Sequence, residues 1–209
     1  MKKKRGRDAN ATALLCLHLQ TDYMPGGAFG CDQAADFPKR VNKLKETYSY
    51  RFNHIFWVQH TYPEDHISFY INHEGKEDGD IIDMPDGGFL TLRPPHCIAG
   101  TLGATVPAKL KTSVMDRVLV RGTDSIRHSE SSFSDTALDT LLKKENVTTL
   151  YIVGVYMDYG IKQTAMDAAK KGYAVWIFVD LVCCMGDDEE DTKKELKDLG
   201  IQLIISDKL

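Results

Sequence analysis

Gly154-Val-Tyr-Met-Asp-Tyr-Gly-Ile-Lys-Gln-Thr-Ala165 is the stretch whose reading decides the fold. An apolar run, Thr149–Val153, feeds into it and has the length of a buried strand. Behind it Ile161, Ala165 and Ala168 fall at i, i+4 and i+7, one face of a helix that Gly172 would close. Asp158 stands where an N-cap is wanted. The stretch is therefore a strand–turn–helix junction with Gly160 in the first turn. Free backbone N–H groups and the helix dipole make such a turn receptive to negative charge. In an α/β sheet it lies at the carboxyl ends of the strands, where ligands bind.

The same alternation extends outward. Thr12–Leu19 is an apolar run of strand length that stops at Pro25-Gly26-Gly27, a breaker cluster. Phe37, Val41, Leu44 and Tyr48 share a helix face, and His54–His60 is the next strand. Thr61–Thr112 has little periodicity, and a segment that long inside one domain is a functional or interface loop. Val118–Val120 is a short strand, and Leu138, Leu141 and Leu142 mark a helix. After the central junction come a strand at Ala174–Val179, a charged helix at Glu189–Leu199 and a last strand at Ile201–Ile205. Strands alternating with helices predict an α/β fold: a three-layer α/β/α domain on a six-stranded, mostly parallel sheet.

Composition bounds the rest. With 43% apolar and 27% charged residues the chain has ordinary globular character, and 209 residues suit one domain. We divide it into a basic tail, 1–11, and a domain, 12–209. A formal charge of −4 gives no footprint for nucleic acid or anionic membrane, and no apolar run is long enough to span a bilayer. Cys16, Cys31, Cys97, Cys183 and Cys184 are odd in number and lack C-x-x-C spacing, so a cytoplasmic or other reducing compartment without structural disulfides is expected.

The motifs resemble the nicotinamidase/pyrazinamidase branch of the isochorismatase-like hydrolases. That family reads Gly-Val-Ala-Thr-Asp-Tyr-Cys-Val and then Thr-Ala, which Gly154, Val155, Asp158, Tyr159, Thr164 and Ala165 match. His18–Gly27, His-Leu-Gln-Thr-Asp-Tyr-Met-Pro-Gly-Gly, is similar to its Asp-x-Gln-Asn-Asp-Phe-x-Pro-Gly-Gly. Val58–Phe69 resembles its metal segment, and Pro94-Pro95-His96-Cys97 with Gly100-Thr101 and Gly103-Ala104 resembles its Pro-x-His-Cys loop. Arg121-Gly122 stands for its Lys-Gly, and Ser132-Phe133 for its Ser-Ala-Phe. The resemblance runs from His18 to about Val179.

It implies a triad of aspartate, lysine and cysteine, for which this chain has His18, Arg121 and Gly160. Glycine has no atom that attacks a carbonyl, and losing a hydrolase nucleophile costs on the order of 10⁶ in rate. Arginine keeps the lysine's charge but does not exchange protons. The implied metal ligands, Asp, His and His, become His60, Tyr62 and His66. A phenol is a poor ligand near neutral pH, so the expectation is no cofactor, or a weakly held divalent ion such as zinc. The family's aromatic lid positions match Tyr23 and Thr61, and its cis peptide would fall at Val155–Tyr156, where the tyrosine is bulky enough to fill the pocket. Cys183 and Cys184 end a strand and read as buried thiols, not as replacement nucleophiles.

These substitutions predict a pseudoenzyme: a catalytically degenerate nicotinamidase-like protein serving as a binding or assembly subunit. The alternatives are an amidohydrolase using a relocated nucleophile or an activated water, and a sensor that binds nicotinamide uncleaved. Expected partners are a second copy of the chain or an assembly partner, and a small aromatic amide or acid as ligand.

Overall fold

In the computed structural model, residues 10–84, 87–186 and 188–209 are described. The basic stretch at 1–9 lies outside them. Eight strands and four α-helices follow in chain order: β1 (Ala11–Leu17), α1 (Phe37–Thr47), β2 (His54–His60), β3 (Ile81–Asp83), β4 (Phe89–Thr91), β5 (Arg117–Arg121), α2 (Leu138–Lys144), β6 (Val147–Val155), α3 (Lys162–Lys170), β7 (Ala174–Cys183), α4 (Glu189–Asp198) and β8 (Gln202–Ile204). The main sheet has the order β5-β2-β1-β6-β7-β8, and each of its neighbouring pairs is parallel. Burial on both faces gives β1 and β6 their nearly unbroken apolar sequences, with Leu14, Leu15, Leu150 and Ile152 at zero exposure. Each such side chain contributes about 1.5–3 kcal/mol by leaving water.

One face carries α1, which buries Phe37, Val41 and Leu44 against Cys16, Trp57 and Phe178. The other carries α2, α3 and α4, which bury Leu138, Leu142, Ala165, Ala168 and Leu196 against Leu15, Val58 and Ile177. The first face is completed by the long 61–112 segment. That segment holds an antiparallel pair, β3 with β4, that its weak periodicity did not announce. It doubles back on itself through bridges between Tyr62 and Ile98 and between Phe69 and Arg93.

The direction of strand crossover reverses between β1 and β6, so their carboxyl ends open a crevice there. Gly154 sets its width. A Cβ at Gly154 would lie 1.9 Å from the Leu17 carbonyl oxygen, and its φ of +142° suits glycine alone. This close approach brings His18, just past β1, against Val155 at the end of β6. No helix of the described residues is long and apolar enough to cross a membrane.

Asp158 is not the N-cap expected from the sequence. The backbone makes a wide turn after β6, with the Ile161 N–H donating to the Tyr156 carbonyl at 3.1 Å, and α3 starts only at Lys162. The Asp158 carboxylate instead accepts from the backbone N–H groups of Met185 and Gly186 at 2.9 Å each, tying this turn to the chain leaving β7. The bond Val155–Tyr156 is cis.

Candidate functional site

The carboxyl ends of β1, β2 and β6, the long segment and the 128–130 stretch after β5 line one cavity. Its walls include His18, Tyr23, His60, Tyr62, Val155, Tyr156 and Gly160. Gln20 braces the near side: its amide donates to the carbonyls of His60 and Ala104 at 2.7 Å each and accepts from the His60 N–H at 2.8 Å. Asp22 accepts from the Cys97 N–H at 2.7 Å, holding the Pro-Pro-His-Cys loop beside the first strand's exit.

His18 occupies the centre. Its Nδ1 lies 2.9 Å from the Val155 carbonyl, which can only accept, so Nδ1 carries the proton and Nε2 keeps a lone pair. The ring stacks on His60 with centroids 3.8 Å apart. Burial, then the nearby Arg121 charge, lower its pKa to about 3, so the imidazole is neutral. At Gly160 an added Cβ would meet His18 Cε1 at 3.0 Å and the Glu130 carbonyl at 3.4 Å. The histidine ring therefore takes space that a side chain at 160 would need.

Arg121 does not reach the cavity as the sequence suggested. Its Nη1 donates to the Glu130 carbonyl at 2.8 Å, its Nη2 donates to the Ser129 carbonyl, and its Nε faces Asp135 at 3.1 Å. It is 1% exposed and fixes the 129–135 loop instead of presenting charge to a ligand. Ser132 secures the same loop to α3, its N–H donating to Thr164 Oγ1 at 3.0 Å.

The three metal-ligand positions are close together but do not fit a metal. His66 uses both nitrogens: Nε2 donates to the Arg127 carbonyl at 3.0 Å, and Nδ1 accepts from Ser68 Oγ at 2.7 Å. His60 Nδ1 pairs with the Tyr23 hydroxyl at 2.6 Å. Burial holds the Tyr62 phenol above its ordinary pKa, against ionisation. Among the described residues no group of three or more His, Cys, Asp or Glu side chains is placed to hold an ion.

Thr61, expected as a lid residue, lies elsewhere, on a groove it shares with Trp57 and Val118. The aromatic walls are instead Tyr23, Phe29, Tyr62, Tyr156 and Tyr159. Tyr156 meets Tyr23 and Phe29 edge-on at 6.0 and 5.5 Å, and its hydroxyl donates to the Phe29 carbonyl at 2.8 Å. The residual volume is about 40 Å³. A cavity that accepts a benzene ring has about 150 Å³. No thiolate is at hand: burial raises the Cys97 and Cys183 thiols and lifts Cys184 to about 12. Phe29, Arg93, His128 and Met185 also line the cavity and carried no sequence signal. His96, 5% exposed, also lines it and stands in a loop that the sequence made recognisable.

Fold and site together define an isochorismatase-type α/β domain, and the isochorismatase domain family matches residues 12–204, so the chain belongs to that family. Its relatives include nicotinamidases. The nicotinamidase of Acinetobacter baylyi is 31% identical over 186 residues, covering 86% of this chain and 85% of the relative. The solved Acinetobacter baumanii nicotinamidase pyrazinamidease superposes with a TM-score of 0.87 at 26% identity, covering 98% of this chain and 99% of the other. The pyrazinamidase of Pyrococcus horikoshii, solved in complex with zinc, gives a TM-score of 0.79 at 27% identity, covering 93% and 98%.

Proposed function

We propose that this protein is a catalytically inert member of the nicotinamidase branch, retained for binding or assembly. The observation that carries the reading is the packing of His18 against Gly160. The residue at the nucleophile position has no reactive atom, and a Cβ there would already meet the neighbouring imidazole at 3.0 Å. Water activated by His18 is a poor substitute, because a base with a pKa near 3 takes up a proton weakly at neutral pH. The small cavity also argues against a nicotinamide sensor, since the space that Tyr156 helps to line, about 40 Å³, is too small for an aromatic ring.

The test is ammonia release from nicotinamide and pyrazinamide by the purified full chain, with and without added zinc. The expected rate is background in both, and turnover abolished by His18→Ala would favour the activated-water mechanism instead. Elemental analysis after dialysis is expected to find well under one divalent metal per chain, because His66 has no free nitrogen. A full complement of zinc would overturn that expectation.

A further inference from the structure

Three buried side-chain nitrogens have no hydrogen-bond partner among the described residues: His18 Nε2, Arg93 Nε and His128 Nε2. All three residues line the same cavity. Buried polar atoms are almost always satisfied, so three orphans around one space specify what the space should hold. We propose that the cavity is a binding site for a small planar oxyanion that still carries a proton, bicarbonate by size and charge. The inference rests on the reading of the site as one that no longer hydrolyses amides.

Each wall supplies one requirement. His18 donates through Nδ1 to Val155, so its Nε2 can only accept, and the ligand must offer an O–H or N–H there. Arg93 Nε–H can only donate, so the ligand must also offer an acceptor. Arg93 brings net charge: its guanidinium lies over the Phe29 ring at 5.7 Å, and its carboxylate partner, Asp78, is 3.8 Å away and 53% exposed. Glu130 also lines the cavity, close enough to Tyr159 that its charge adds to burial in raising the phenol's pKa. An anion therefore meets a cation that is poorly compensated, in surroundings that screen weakly. His128 Nε2 donates or accepts according to its tautomer and completes the set. A volume of about 40 Å³ corresponds to roughly three water positions, which suits four heavy atoms and excludes a pyridine ring.

The experiment is isothermal titration of the full chain near neutral pH with sodium bicarbonate, sodium nitrate and formamide, in sealed cells. Nitrate is planar and anionic but has no proton for His18. Formamide has both donor and acceptor but no charge for Arg93. The expected result is saturable binding of bicarbonate at least about tenfold tighter than either control, weakened about tenfold in Arg93→Gln. Circular dichroism checks that this variant folds, and Arg93→Lys, which keeps the charge but loses the Nε–H, serves if it does not. In ¹⁵N spectra the His18 Nε2 resonance should move with bicarbonate and not with nitrate. Equal binding of nitrate or of formamide overturns the proposal, as does the absence of saturable binding, which would leave water as the occupant. Amide turnover alongside intact bicarbonate binding would defeat the non-catalytic reading and leave this site standing.

Discussion

At the scale of single residues, His18 and Gly160 behave as a coupled pair. A Cβ at 160 lies 3.0 Å from the His18 ring, so Gly160→Cys forces the imidazole to move and is expected to cost about 1–3 kcal/mol. Adding His18→Asp, a shorter side chain, should recover most of that loss. Urea denaturation of the two singles and the double gives the coupling, and a Gly160→Cys variant as stable as the parent would show that ring and thiol coexist. His18 and His96 also predict an acid limb. Burial lowers their pKa values to about 3 and about 4, below the unfolded value near 6.5. Between those values the unfolded chain binds protons that the folded chain does not, so stability is complete above about pH 6.5 and falls as pH drops. By pH 5 the loss is about 2 kcal/mol per histidine. Denaturation at pH 7.5 and 5 measures it, and His96→Asn should make the fall shallower.

At the scale of elements, the turn between β6 and α3 is held from outside. Asp158 accepts from two backbone N–H groups of the chain leaving β7, and without it Met185 and Gly186 lose these partners. Asp158→Ala is expected to cost about 1–3 kcal/mol, because hydrogen bonds to a charged group are the stronger kind. Faster hydrogen exchange at the Met185 amide, with the β1 amides unchanged, would be its signature. Global destabilisation that leaves that amide as protected as its neighbours would refute the local clamp.

At the scale of the whole molecule, the parallel sheet ends on β5 with one face uncovered. Val118 and Val120 are 55% and 46% exposed there, beside Val114 and Met115. Edge strands normally avoid such exposure. An antiparallel pairing of two copies centred on Leu119 would set Val118 of one against Val120 of the other. Arg117 and Arg121 would face each other, but each already has a carboxylate partner, Glu145 and Asp135. Light scattering is expected to show a dimer that Val118→Lys converts to monomer. A monomeric parent would remove the edge as an assembly surface.

Strand and helix placement was legible in the sequence because buried parallel strands need apolar runs and surface helices need a stripe. Most of the predicted elements match within a few residues, as in β2, which spans His54–His60 both as read and as folded. The loss at Gly160 was legible too, since the missing atom is a property of the residue alone. Other outcomes depended on direction and distance between segments far apart in the chain. Arg121 does not line the cavity, because its guanidinium is taken up by the Ser129 and Glu130 carbonyls and by Asp135. Thr61 and Tyr62, adjacent in sequence, line different spaces because successive side chains of extended backbone point opposite ways. Arg93 joins His18 only when the long segment folds back over the sheet, and His128 only when the loop after β5 does. No local pattern records that return, because the contacts fixing it are made across the tertiary fold.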